Sequence, residues 1–217
     1  MKNKAQLLHA VTLFISASFG VLQAQNAPVN AEFGIKGGAN MSNLYSGEVD
    51  DKNAIYGFNV GVYAAFPIAD NIFIQPEILY TTKGAELEYN SNFVSGVGRF
   101  RLNYIEVPLL VKFKVTQNFN VHVGGYASYL VDGKVTNESS AGTAFDFEEN
   151  INADDFNRFD AGLSAGVGVD FDPLSIGLRY NYGLTTVGKE RSFLGTNYTF
   201  PDAKNSNLSL YLAYKLN

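Results

Sequence analysis

The last ten residues of the chain, Leu208 to Asn217, constrain it most. Leu208, Leu210, Leu212, Tyr214 and Leu216 take every second position, with Ser209, Tyr211, Ala213 and Lys215 between them. A period of two puts the two sets on opposite faces of a β-strand. Large apolar groups on one face and small or polar ones on the other suit a strand that separates lipid from a polar interior. About ten residues is what a tilted strand needs to cross a bilayer. In lipid such a strand cannot leave its edges unpaired, so the rest of the chain must supply enough partners to close a sheet.

Seven further segments alternate in the same way. Over 31–40, Phe33, Ile35 and Ala39 oppose Lys36 and Asn40; over 56–66, Phe58, Val60, Val62, Ala64 and Phe66 oppose Asn59, Gly61 and Tyr63. Ile72, Ile74, Ile78 and Tyr80 oppose Gln75 and Glu77, and Ile105, Val107, Leu109, Val111 and Phe113 oppose Glu106, Lys112 and Lys114. The pattern returns over 119–130, with His122, Tyr126 and Ser128 on the polar face. It returns again over 158–171, with Arg158, Asp160, Ser164 and Asp170, and over 174–185, with Ser175, Arg179 and Asn181. Between these segments short links (67–71, 116–118, 172–173) alternate with long ones (41–55, 82–99, 131–157, 186–207). The short links are rich in turn-forming Pro, Asp and Asn. The expected fold is all-β: an eight-stranded antiparallel up-and-down transmembrane β-barrel with short periplasmic turns and long extracellular loops. A soluble up-and-down barrel would turn its apolar face inward around a greasy ligand, whereas here the inward face carries the charges. Pro76 and Pro108 fall inside strands of this scheme, where a closed sheet has no free edge to excuse a missing N–H, so a bulge or a wide ladder position is expected beside each.

The amino-terminal segment sets the compartment. Lys2 and Lys4 precede an apolar run from Leu7 to Leu22, and Ala24 before Gln25 suits signal cleavage. Residues 1–24 are therefore read as a signal peptide and 25–217 as one barrel domain. An uncleaved anchor would want a longer apolar run and a basic stop after it. The chain has no cysteine, which rules out a lipoprotein anchor, disulfides and thiolate metal sites. Loss of two signal lysines takes the net charge from −5 to about −7, with 14 basic residues against 21 acidic ones. Such a balance excludes a nucleic-acid partner, whose phosphates demand a basic face.

An eight-stranded barrel is just wide enough for its own side chains to fill it. Charges of both signs face inward here, and an unpaired charge in that space costs several kcal/mol. Lys36, Glu77, Glu106 and Arg179 fall in mid-strand and are the expected ion-pair cluster of the lumen, with Tyr63, Tyr126 and Tyr211 completing the block to solutes. Catalytic groups are scarce, and no cofactor or metal is expected. His122 is the one histidine left after signal removal, and it lies near a short turn, at the wrong end for chemistry on outer-leaflet lipid. Glu148, Glu149, Asp154 and Asp155 lack the spacing of a calcium loop. They belong to the 132–157 stretch, which carries seven acids against Lys134 alone and reads as a solvated extracellular loop.

Several strand motifs resemble the PorT-like outer-membrane β-barrel family of Gram-negative bacteria. They are Gly34-Ile35-Lys36-Gly37-Gly38-Ala39-Asn40, Gln75-Pro76-Glu77 with Leu79-Tyr80, and Tyr104-Ile105-Glu106-Val107-Pro108-Leu109-Leu110. The glycines from Gly162 to Gly168 and Leu178-Arg179-Tyr180-Asn181-Tyr182-Gly183-Leu184 complete the set. The resemblance implies an eight-stranded barrel delivered by the barrel insertion machinery, with Pro108 as a family feature. Its best-known member supports a secretion system that exports proteins across the outer membrane. The chain departs from the usual insertion signal by ending in Asn217 instead of an aromatic residue.

These readings converge on an integral barrel of the cell outer membrane, non-enzymatic, a structural or accessory component of the envelope. Its expected partners are outer-membrane lipids and lipopolysaccharide, the insertion machinery, and an envelope secretion complex. Two other readings stay open: a lipid-modifying enzyme, and a barrel that binds ligands or adheres through its loops.

Overall fold

The computed structural model describes residues 31–45, 52–90, 95–139, 147–150, 157–188, 190–193, 196–199 and 203–217. The expected signal segment, 1–24, lies outside the described residues, as do Asp154 and Asp155. The strands are β1 (Glu32–Tyr45), β2 (Lys52–Asn53), β3 (Ile55–Ala69), β4 (Ile72–Asn90), β5 (Ser95–Lys114) and β6 (Phe119–Ser139), followed by β7 (Phe147–Asn150), β8 (Phe159–Phe171), β9 (Leu174–Thr186), β10 (Glu190–Phe193), β11 (Thr196–Thr199) and β12 (Lys204–Lys215). Eight of them close a ring in the order β1-β12-β9-β8-β6-β5-β4-β3, and every neighbouring pair is antiparallel. First and last strands meet in a seam that runs from Gly34 opposite Lys215 to Tyr45 opposite Lys204. No helix occurs among the described residues.

The alternation is realised as the sequence predicts. Phe33, Ile35, Val60, Val62, Leu109, Leu163, Leu178, Leu210 and Leu212 point outward and stay exposed, while Lys36, Asn59, Glu77, Glu106, His122, Asp160, Arg179 and Asn181 point inward and are buried. An apolar belt in contact with lipid tails is the arrangement that water would forbid and a bilayer requires.

Both prolines keep the ladder in register without a bulge. Pairing of β3 with β4 lapses between Tyr63 opposite Glu77 and Phe66 opposite Ile74, the stretch that contains Pro76. Pairing of β4 with β5 lapses between Pro76 opposite Leu109 and Leu79 opposite Glu106, the stretch that contains Pro108. Each missing N–H thus coincides with a short gap in one ladder, and the strands re-pair beyond it in the same register.

The expected outer loops are in part strand. β4 continues to Asn90, β5 begins at Ser95 and β6 runs to Ser139, so much of 82–99 and 131–139 is a tall hairpin wall. The short β2 pairs with the edge of β4 and β7 with β6, widening that wall. Hydrophobic alternation is the sequence signal of a strand in lipid, and beyond the membrane nothing enforces it. β10 and β11 form a separate hairpin.

Inside the outer end of the barrel sits an apolar collar of Leu44, Ala85, Leu102, Tyr104, Leu130, Val187 and Ala203, with Phe100 packed against it. The lumen is therefore not polar throughout. Apolar side chains fill this part of the lumen, and a charged column adjoins them.

A charged column in the lumen

The middle of the column is built on Glu77 of β4. Arg179 of β9 reaches across the barrel and donates Nη1–H to Oε2 at 2.7 Å and Nη2–H to Oε1 at 2.8 Å, a bidentate grip. Lys36 of β1 adds its ammonium 3.1 Å from Oε1, and the Gln75 amide donates to the same oxygen at 2.7 Å. Tyr211 of β12 lies beneath both cations, with Lys36 Nζ 3.5 Å and the Arg179 guanidinium carbon 5.4 Å from the ring centre.

Towards the outer mouth a second group centres on Lys83. Its ammonium, wholly buried, lies 2.6 Å from Glu106 Oε2 and 3.2 Å from Asp160 Oδ2. The Asn181 amide donates to Glu106 Oε1 at 3.0 Å. Asp160 also accepts from Thr185 and Asn205 at 3.0 Å each and from Ser128 and Tyr126 at 3.3 Å each.

Towards the periplasmic mouth Lys112 Nζ stands 3.0 Å from Asp170 Oδ2, and Ser175 and Asn120 donate to the same carboxylate at 2.7 and 3.1 Å. His122 links this group to the centre. Arg179 Nε–H donates to its Nε2 at 3.3 Å, so Nδ1 carries the proton that faces Asn120 Oδ1, also at 3.3 Å. At the rim, Lys114 pairs with Glu32 and Lys215 with Asp172.

Three of the inward rings, Tyr126, His122 and Tyr211, lie against bare backbone at glycines of β8 and β9. A Cβ on Gly177 would come 2.4 Å from the Tyr211 hydroxyl, one on Gly162 2.7 Å from Tyr126 Cε1, and one on Gly166 2.5 Å from His122 Nε2. The glycine repeat read in the sequence is thus a set of slots for lumen side chains.

Of the four residues expected to cluster, the structure brings Lys36, Glu77 and Arg179 together and assigns Glu106 elsewhere, to Lys83. Lys83 lies in the 82–99 stretch, whose sequence lacks the apolar alternation of a strand in lipid and so reads as loop. Its signal was parity: Glu77, Leu79, Thr81 and Lys83 continue one inward series. Lys36, Lys83, Lys112 and Arg179 balance Glu77, Glu106, Asp160 and Asp170, so the formal charge of the column is zero. Two cavities between these groups are small: about 10 Å³ between the central and outer groups and about 20 Å³ beside His122, Lys112 and Asp170. Room for a water or so is all that such volumes provide. Among the described residues no group of His, Asp and Glu is arranged to hold a metal ion.

Comparison with solved structures finds several small outer-membrane barrels. Ail of Yersinia pestis, solved with the heparin analogue sucrose octasulfate, is 16% identical with a TM-score of 0.48, over 86% of this chain and 99% of that one. Neisserial surface protein A is 18% identical with a TM-score of 0.48, over 86% and 99%. OprG of Pseudomonas aeruginosa is 11% identical with a TM-score of 0.44, over 87% and 97%. No curated protein sequence matches the chain. The family model described as outer membrane protein beta-barrel domain matches residues 23–188, well over half of the chain. With a closed eight-stranded ring, an apolar belt and a filled polar lumen, the chain belongs to the outer membrane protein beta-barrel domain family, and its place is the outer membrane.

Proposed function

We propose that the protein is a non-conducting, non-enzymatic scaffold of the outer membrane, an accessory part of an envelope assembly. The observation that carries this reading is the lumen packed with side chains: a collar of apolar groups over a neutral column of ion pairs, with small cavities of about 10 and 20 Å³ between them. Solute passage would have to break buried pairs, each at several kcal/mol. His122 is held between Arg179 and Asn120, which leaves neither ring nitrogen available to a substrate. The finer assignment, a PorT-like barrel that supports protein export, rests on the resemblance of Tyr104 to Leu110 and the companion motifs. Planar-bilayer recordings test the scaffold reading directly: a quiet bilayer is expected, and large steady openings would refute it. A lipid A mass profile of a deletion strain tests the enzyme alternative, since only an enzyme predicts a mass change. Export is tested by crosslinking the envelope and identifying what co-purifies with the barrel.

A second reading, a barrel that binds ligands through its outer face, draws on the wall formed by β2, β4, β5, β6 and β7. A rigid sheet held beyond the membrane presents side chains in fixed register, which suits recognition better than a mobile loop does.

A further inference from the structure

The column is neutral as a whole, yet its charges do not balance level by level. In the outer group Lys83 meets two acids, Glu106 and Asp160. At the centre the count reverses, with Lys36 and Arg179 on Glu77 alone. Lys112 and Asp170, towards the periplasmic mouth, match one for one. His122 accepts from Arg179, so it is neutral and changes nothing in this count. The excess acid is at another level: Asp160 lies six residues along β8 from Gly166, the partner of Arg179, ~20 Å of strand. One unit of positive charge is therefore left in the central and periplasmic part of the lumen.

The cavity of about 20 Å³ lies in this positive stretch, and both Lys36 and Lys112 line it. Its wall is rich in donors with hydrogens to spare. Lys36 meets Glu77 and the Tyr211 ring, two contacts for three N–H groups. Lys112 meets Asp170, and the Gln75 amide gives one of its two N–H groups to Glu77. The Tyr63 hydroxyl, on the same wall, has no hydrogen bond among the described residues. Asp170 is the one acid on the wall, and its oxygens are occupied. Oδ1 accepts from Ser175, while Oδ2 accepts from Asn120 and pairs with Lys112.

An uncompensated charge in a low-dielectric interior is costly, and a counter-ion relieves it. The cavity suits a particle about the size of a water, which admits a halide and excludes sulfate or phosphate. The side chains of Lys112 and Asp170 keep 10% and 18% of their exposure, so an ion reaches the cavity from the periplasmic mouth. We infer that this cavity binds a chloride ion, held by Lys36 and Lys112 with Gln75 and Tyr63 as further donors. The ion enters and leaves at the same end, so the site does not depend on the scaffold reading.

The test uses the full protein folded in detergent and exchanged into sodium gluconate, with the line width of the chloride NMR signal read during a sodium chloride titration. Wild type is expected to broaden the signal saturably, and bromide to reverse the broadening. Lys36→Met keeps the Arg179–Glu77 pair and the heat-modifiable band, and it should bind chloride about tenfold more weakly or worse. Asp170→Asn removes the acid from the wall and should bind chloride about tenfold more tightly. Because that variant predicts a gain, damage to the fold cannot imitate it. Water alone in the cavity predicts no saturable broadening by wild type, and that result would overturn the proposal. So would undiminished binding in Lys36→Met, which would put the ion elsewhere on the protein, or binding in Asp170→Asn no tighter than in wild type.

Discussion

Arg179 holds both carboxylate oxygens of Glu77 across the width of the barrel, at 2.7 and 2.8 Å, although 102 residues separate them in the chain. Lys36 shares the same carboxylate at 3.1 Å, so the unit is a triad of two cations on one acid. The charges are unequal, and the consequences of removing each differ. Arg179→Met leaves Lys36 and Glu77 as a one-to-one pair, and the expected loss is ~3 kcal/mol, the lower end for a broken buried pair. Glu77→Gln strands two cations together and is expected to cost more, ~5 kcal/mol. The temperature at which the heat-modifiable band converts in detergent gives the order. A Glu77→Gln protein that outlasts Arg179→Met would refute the triad.

Lys83 and Lys112 make a second comparison. Lys83 is fully buried against two acids, whereas the Lys112 and Asp170 side chains keep 10% and 18% of their exposure near the periplasmic mouth. Water can replace Lys112 and cannot replace Lys83. Lys83→Met is therefore expected to lower the conversion temperature well beyond Lys112→Met, and equal shifts would mean that water reaches Glu106 and Asp160 as well.

The slots behind the lumen rings predict a contrast between glycines. A Cβ at Gly177 meets the Tyr211 hydroxyl at 2.4 Å and the Val167 carbonyl at 2.5 Å, while one at Gly125 meets only the Gly162 carbonyl, at an ordinary 3.5 Å. Gly177→Ala should destabilise by ~1–3 kcal/mol through overpacking, and Gly125→Ala should stay within ~0.5 kcal/mol of wild type. Equal effects of the two substitutions in a denaturant titration in detergent would count against this account of the glycines.

The outer collar makes a prediction about access. Leu102 is directly opposite Lys83, and the centre of the Tyr104 ring lies 5.3 Å from its ammonium. In intact cells an impermeant amine-acylating reagent should leave Lys83 unlabelled in wild type and label it in Leu102→Ala/Leu130→Ala. Peptide mass spectrometry reads the difference, and labelling of the wild type would mean that the collar does not seal.

Much of this architecture was legible because a period of two is a strong signal in lipid. Parity alone assigns Lys36, Glu77 and Arg179 to the axis, since one face of each strand must be apolar. Which inward residues meet is set by the stagger between strands, which no single strand encodes. Hence Glu106, in phase with the central group, finds Lys83 instead. The outer reaches of β4, β5 and β6 were read as loop because Tyr80 is the last large apolar residue of its outward series, and Thr82, Gly84 and Glu86 follow it. Where lipid ends, a strand is free to be polar, and only its pairing identifies it. The apolar collar draws on these same outer reaches and has no alternation to mark it.

The interior contacts also bear on the order of events in assembly. Asn59 donates to Ser209 across 150 residues, Arg179 to Glu77 across 102, and Lys83 to Asp160 across 77. Contacts such as Lys83 with Glu106 join neighbouring strands and can form with their hairpin, whereas the long ones across the barrel, Arg179 to Glu77 and Asn59 to Ser209, must wait for the sheet to close. High contact order of this sort makes folding slow. Interactions that form only after the rate-limiting step lengthen the lifetime of the native state without hastening its arrival. The column therefore acts as a lock set by closure: once the last strand is in place, opening any one strand means uncovering every charge it helped to bury.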